Sequence, residues 1–311
     1  MVPAEQLRDA SNIKAIIFDV GGVLNEGSPD FIKAFENQGI KLQQDLWQNP
    51  KCKELILSFC TGVYGNTLES AQTFARELCT AAVGKEVDFA RFKSAWNATI
   101  LYLHDELIDK LPMLQKQGYR LFILSDTNML HREYLETLYQ RKHPAERFTA
   151  LFERCYFSHE TGNYKGFEEP RAKEAWLQIL RENGLKPEEC LFIDDKLSNV
   201  QKAEKLGIIC LHYPPGSTSK TVLNKLDELN PIRILIDRKT FSEHIGRGDL
   251  EEFVGILNAH KMPYKFTSIT IESASLQFFQ KIKEVFETSN MEIYCHKTSH
   301  VNFSFVVVDS C

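Results

Sequence analysis

No run of apolar residues in this chain approaches the roughly 20 needed to cross a bilayer as a helix, and no internal repeat or low-complexity tract is present. Residues 1–12 are polar and lack the apolar centre of a secretion signal. There is no CxxC pair. The eight cysteines (Cys52, Cys60, Cys79, Cys155, Cys190, Cys210, Cys295 and Cys311) are scattered, which argues against a zinc site and predicts free thiols in a cytoplasmic setting. No sign of charge dominates. The 37 Lys and Arg against 42 Asp and Glu leave a net charge of −5 without a basic stripe. Neither nucleic acid nor a membrane is therefore an expected partner. What remains is an ordinary globular composition over 311 residues, long enough for two domains.

The apolar periodicity takes two forms. Short β-branched runs occupy Ile13–Phe18, Tyr119–Leu124, Arg154–Phe157, Leu191–Ile193 and Ile208–Tyr213. Amphipathic stretches lie between them: Leu107–Gln117 before Gly118, Arg171–Asn183 before Gly184, Asn199–Leu206 before Gly207. A glycine just past a helical stretch is a common stop. Strand, helix, glycine, strand predicts a Rossmann-like α/β fold with a parallel sheet. Residues 27–105 break the rhythm with stretches that read as helical throughout, Lys51–Cys60, Leu68–Ala82 and Asp88–Leu103 among them. That predicts a helical cap inserted after the first strand. The expected core is 1–26 plus 106–229, closed by a helix over Lys220–Leu229.

After Pro231 the pattern changes. Ile232–Ile236, Phe266–Glu272, Met291–Lys297 and Val301–Asp309 read as strands, and Leu250–Ala259 and Leu276–Phe286 as helices. Residues 231–311 are thus expected to form a small α+β domain.

Three of the core strands run into acids. Ile16-Ile17-Phe18 leads to Asp19, Phe122-Ile123-Leu124 to Ser125-Asp126-Thr127-Asn128, and Leu191-Phe192-Ile193 to Asp194-Asp195. The carboxyl ends of parallel strands share one edge, where ligands bind. Carboxylates gathered there make a hard oxygen site suited to Mg²⁺. Asp126 by itself reads equally well as a helix cap. The adjacent pair Asp194-Asp195 repels, and a cation resolves that repulsion. Other conspicuous residues have simpler readings. His159 is expected to be structural, and His104 and His131 to lie on the surface. Trp47, Trp96 and Trp176 are expected in the core, and Arg238-Lys239 in a solvated turn.

Four segments, these three and one between the second and third, resemble in order the motifs of the haloacid dehalogenase superfamily of hydrolases. Ile17-Phe18-Asp19-Val20-Gly21-Gly22-Val23-Leu24 is similar to motif I and Leu124-Ser125-Asp126-Thr127-Asn128 to motif II. The run from Tyr156 to Lys165 is similar to the stretch ending in the motif III lysine. Phe192-Ile193-Asp194-Asp195, followed by Asn199, Ala203 and Gly207, is similar to motif IV. The resemblance covers about residues 13–215 and is nearest to the sugar-phosphate phosphatases and the N-terminal phosphatase domain of epoxide hydrolases. It implies an Mg²⁺-dependent phosphatase acting on a small phosphorylated metabolite. Asp19 would be the nucleophile, passing through an aspartyl phosphate. Asp19, the backbone carbonyl of Gly21, Asp194 and Asp195 would hold the metal. Ser125, Asp126, Thr127, Asn128 and Lys165 would bind the phosphoryl group, with Ser125, Asp126 and Lys165 taking part in catalysis.

Two departures stand out. Gly21 occupies the place of a second Asp that serves as general acid and base, a role worth about 10²–10⁴-fold; Asp126 is the candidate to replace it. Gly166-Phe167-Glu168-Glu169-Pro170 follows Lys165 where Lys-Pro is usual. The alternative is a catalytically weakened protein of this type with a binding or regulatory role. Metal-free carbon–halogen hydrolysis is a third reading, and the Asp194-Asp195 pair argues against it.

The C-terminal strand, helix, strand, strand run from Thr267 to Asp309 resembles the ACT domains of aspartate kinases, which implies an amino-acid ligand and a homodimer. It stops before the last helix and strand of a complete ACT fold, which residues 232–260 or a second chain would have to supply. A generic ferredoxin-like dimerisation module is the competing reading.

Overall fold

The structure, a computed structural model, describes residues 13–28, 30–168 and 170–229, and beyond them the strands at 232–236, 266–272, 291–297 and 302–309. The chain divides into two compact units, one spanning Ile13–Ser219 and the other built on the residues from Lys220 onward.

The first unit begins with β1 (Ala15–Phe18), whose four residues are all buried. After it come β2 (Asn25–Gly27), α1 (Phe31–Glu36), α2 (Pro50–Cys60), α3 (Leu68–Val83), α4 (Phe89–Asn97) and β3 (Ile100–Leu103). Then follow α5 (Asp105–Ile108), α6 (Leu111–Lys116), β4 (Arg120–Ser125), α7 (Met129–Gln140), β5 (Arg154–Phe157) and the single turn α8 (Ser158–Thr161). The unit closes with α9 (Glu174–Asn183), β6 (Cys190–Asp194), α10 (Leu197–Glu204) and β7 (Ile209–His212).

Five strands make one sheet of order β5-β4-β1-β6-β7, and every pairing in it is parallel. β1 is central, with Phe18 opposite Ile123 on one side and Ile193 on the other. Continuous apolar runs such as Ala15–Phe18 suit strands covered on both faces. One face packs Ile17, Phe122, Tyr156 and Phe192 against Trp176 and Ile179 of α9. The register brings Asp19, Ser125 and Asp194 to the same edge, because each follows or ends a strand paired level with its neighbour.

The insert between β1 and β4 has its own core. Phe59 and Phe74 stack at 4.0 Å, and Phe74 meets Trp96 edge-on at 5.3 Å. Each such ring contributes about 1.5–3 kcal/mol by leaving water. The cluster continues into Met129 and Leu130 of α7, so the insert is seated on the helix that follows β4. α3 shows why its span forms: Thr67 caps the Ser70 N–H, and Gly84 ends it at φ +76°.

The structure corrects the reading of Asp88–Leu103 as one helix. Trp96, Ile100 and Leu103 have helical spacing, but Thr99 donates its hydroxyl to the Trp96 carbonyl (2.8 Å) where the helix has ended. The chain then extends as β3 and pairs antiparallel with β2. This two-stranded ribbon clasps the start and end of the insert together, and Ser28 N–H donates to Thr99 O. Leu107–Gln117 is likewise two short helices, since Pro112 stands in the first turn of α6 and has no N–H to continue a preceding one. The helix Met129–Gln140 is not among the stretches read from periodicity.

In the second unit, helix α11 (Ser219–Leu229) is followed by β8 (Ile232–Ile236), β9 (Phe266–Glu272), β10 (Met291–Lys297) and β11 (Asn302–Asp309). They form a sheet of order β10-β11-β9-β8. β11 pairs antiparallel with both β10 and β9, while β8 lies parallel to β9. The expected helices over 250–259 and 276–286, and the Arg238-Lys239 turn, lie outside the described residues. No helix among the described residues is long and apolar enough to cross a membrane.

Candidate active site

The site is built around one buried ammonium group. Lys165 is fully buried, with its Nζ 2.6 Å from Asp194 Oδ2 and 3.0 Å from Asp19 Oδ1. It also donates to Leu124 O at 2.9 Å. Burial opposes the Lys165 charge, but Asp19, Asp194 and Asp126 outweigh it and hold its pKa above the ordinary value. The residues after Lys165 do not displace it. Asp126 accepts the backbone N–H groups of Lys165 (2.8 Å) and Gly166 (3.0 Å), one on each oxygen. Lys202 donates to the carbonyls of Lys165 and Phe167, both at 2.9 Å.

Asp19 is buried, and both of its hydrogen-bond contacts fall on Oδ1, from Val20 N–H at 2.7 Å and from Lys165. Desolvation by burial raises its pKa from 3.8 to about 7, with Lys165 pulling it down and Asp194 pushing it up. Asp194 has several donors: Lys196 N–H and the Asn199 amide reach Oδ1, and Asn199 and Lys165 reach Oδ2. Asp195 is different. Its Oδ1 is buried without any partner, and burial followed by the charge of Asp194 raises its pKa. Its backbone is held where His212 Nε2 meets its carbonyl at 2.9 Å.

Asp19, Asp194 and Asp195 each offer an oxygen, all within 4.8 Å of one another. Lys165 contacts Asp19 and Asp194, and one oxygen of the third carboxylate, Asp195, is orphaned. A divalent cation bound by oxygen fits this donor set. Gly21 lies on the turn beside them, bridged to Asn25, and a Cβ there would meet nothing within 4 Å. Gly22 is the opposite case. Its φ is +74°, and a Cβ would come within 2.6 Å of Asp195 Cγ, so only glycine lets the carboxylate lie against this turn.

The other residues expected at the site are close in sequence but differ in what they do. Ser125 is buried at the end of β4. Thr127 gives its N–H to Ser158 Oγ at 3.0 Å, and that hydroxyl lies 2.6 Å from Cys60 O at the end of α2. Asn128, not Asp126, caps α7. Its Oδ1 accepts from His131 N–H and from Trp96 Nε1, so the Asn128 side chain is committed to the insert. His131 is not a surface residue: its ring stacks on Trp96 at 5.4 Å, and burial lowers its pKa to about 4. His104 is half-buried too, within 2.9 Å of Val23 O. His159 is buried, with a pKa lowered to about 4 by desolvation. Trp96 and Trp176 are in the core, whereas Trp47 is 40% exposed. Lys202, Gly22 and Ser158 had no role in the sequence reading. Lys202 could have been found three residues after Asn199, on the neighbouring position of one helical face.

Residues 13–207 match the family model described as haloacid dehalogenase-like hydrolase. Solved structures show the same likeness. A predicted hydrolase of this type from Porphyromonas gingivalis is 29% identical over 66% of this chain and 93% of that one, with a TM-score of 0.55. An enzyme of the same family from Bacteroides thetaiotaomicron, solved as a magnesium complex, is 25% identical over 66% of this chain and 96% of that one, with a TM-score of 0.54. Its wild-type complex with magnesium and inorganic phosphate aligns at 26% identity, 64% and 93% coverage, and a TM-score of 0.51.

Proposed function

The chain belongs to the haloacid dehalogenase-like hydrolases, and on that premise we propose that it is a magnesium-dependent phosphatase of small phosphorylated metabolites. The observation that carries the reading is the unpartnered, buried oxygen of Asp195 beside Asp19 and Asp194. Carbon–halogen hydrolysis without metal has no use for that third carboxylate. The structures of the Bacteroides enzyme with magnesium, and with magnesium and phosphate, support the same assignment.

Asp19, Asp194 and Asp195, with the Gly21 carbonyl, would hold the ion. When bound, it supplies positive charge opposite the phosphoryl oxygens. Asp19 attacks phosphorus and carries the phosphoryl group as an aspartyl phosphate. Lys165 favours the ionised form of Asp19 against its burial and faces the charge that develops on the equatorial oxygens. Ser125 stands at the strand end to bind one of those oxygens. Asp126 and Lys202 act by positioning the Lys165 loop, and Asn128 by seating the insert.

In this reading the core comprises 1–26 and 106–229, and residues 27–105 are the cap that sets specificity. The unit over 231–311 is an ACT-like or ferredoxin-like domain that pairs with a second copy and takes an amino acid. The presence of β8 beside β9 supports residues 232–260 contributing to that domain. The alternative, a catalytically weakened member with a regulatory role, rests on Gly21. A screen of a phosphorylated-metabolite panel with and without Mg²⁺ separates the two. Turnover of some ester only with Mg²⁺ is expected, and no turnover of any would leave the regulatory reading.

A further inference from the structure

The turn after β1 carries the Gly21 carbonyl and the glycine against which Asp195 lies. One carbonyl closes it from within. Val20 O accepts the N–H groups of Val23 (3.2 Å), Leu24 (2.8 Å) and Asn25 (3.0 Å), and Gly22 donates to Asn25 O at 2.8 Å. Val23 O and Leu24 O take no part in that closure. Both residues are fully buried, so their carbonyls need donors from the protein itself.

His104 supplies both. Its backbone N–H donates to Leu24 O at 2.9 Å, and its ring Nδ1 lies 2.9 Å from Val23 O. A carbonyl only accepts, so Nδ1 carries the proton of that bond. Glu26 Oε2 faces the other ring nitrogen at 3.3 Å and orients the ring from the far side. His104 directly follows β3, the strand on which the insert returns to the core, and Leu103 before it pairs with Asn25. The side chain is 19% exposed and lines a cavity with Gly22 and Glu26. It is therefore not locked into the packed core, and its hydrogen bonds are what it contributes.

We propose that His104 is a positioning residue of the magnesium site, which through Nδ1 and the Val23 carbonyl holds the Gly21–Leu24 turn in place for the ion. This rests on the magnesium reading. The turn has no slack to absorb a shift, because Asp195 Cγ already lies 2.6 Å from where a Cβ on Gly22 would be. A turn released at Val23 O would move the Gly21 carbonyl and the surface against which Asp195 rests. Groups that orient metal ligands from behind commonly carry about 10–100-fold of metal affinity. Since His104 ends the returning strand, the same bond ties the seating of the insert to the metal turn.

The test is Mg²⁺ affinity in the full chain without substrate, read by titrating the melting temperature with the ion. Melting without metal reports folding. Two amides separate the two ring nitrogens. His104→Asn places an N–H where Nδ1 stands and keeps the donor to Val23 O. His104→Gln places one where Nε2 stands and keeps only the contact with Glu26. The Asn variant is expected to bind Mg²⁺ like the parent, and the Gln variant about 10-fold or more weakly, with both folded in the absence of metal. A Gln variant that binds as the parent does overturns the proposal. So does an Asn variant as weak as the Gln variant, because the bond to Val23 O would then not be what matters. Failure of either variant to fold without metal would make His104 a requirement of the whole fold and overturn a role particular to the ion. If the parent gains stability from Mg²⁺ and both variants gain it equally, the magnesium reading stands and this inference falls. If the parent gains none, both fall.

Discussion

Gly22 and Asp195 are in such close contact that the Asp195 carboxylate occupies the space of the glycine's missing Cβ. Gly22→Ala must therefore both displace Asp195 and hold an L-residue at φ +74°. A loss of about 1–3 kcal/mol is expected, together with weaker stabilisation by Mg²⁺. Thermal melting with and without the ion measures both. A variant indistinguishable from the parent would show that Asp195 does not need this approach.

Asp19→Asn should lower turnover by about 10⁴-fold or more while the fold persists. Its carboxylate is buried at a cost that the amide does not carry, so melting in the absence of metal should not fall. Retention of the parental rate would remove Asp19 as nucleophile.

The pH dependence follows from the same group. Asp19 holds its proton up to about 7 in the folded chain against 3.8 unfolded. Its contribution to stability is therefore fully present below the unfolded value and lost as pH rises through about 7. A cation that binds the ionised form reverses that loss. The rise in melting temperature with millimolar Mg²⁺ should be larger at pH 8 than at pH 5, and absent in Asp195→Ala. Equal shifts at both pH values would place the ion elsewhere.

Removing the central cation should be severe. Lys165→Met leaves Asp19 and Asp194 buried without their partner, and a broken buried pair costs about 3–5 kcal/mol. Lys202→Met, which frees two loop carbonyls, should cost less, about 1–3 kcal/mol. Chemical denaturation would rank them, and the reverse order would mean that Lys202, not Lys165, anchors the loop.

A chain ending at Leu229 should keep the hydrolase unit and lose self-association. Light scattering of both forms at tens of micromolar decides this. If the full-length protein is itself a monomer, the pairing of C-terminal units is wrong.

The sequence by itself determined the parallel sheet and the edge on which its acids meet. Continuous apolar strands can be buried only between helices, and level strands deliver the residues after them to one place. Asp19 and Asp194 were legible for that reason, and Lys165 through the resemblance of the run that it ends to a family motif. The strand pattern of the C-terminal unit was legible too, because alternation is a local property. What the tertiary structure alone decided is how each side chain is used. Asp126 became a brace for the Lys165 loop because Lys165 and Gly166, 39 and 40 residues further along the chain, present their N–H groups to it. Asn128 and His131 turned inward because Trp96 arrives from the insert to cover them. The segment Ile100–Leu103 chose a strand over the helix its spacing allows because Asn25–Gly27 lies alongside. Periodicity and motif order are written along the chain. Hydrogen-bond partners and free space are properties of residues far apart in it, and they exist only once the chain has closed on itself.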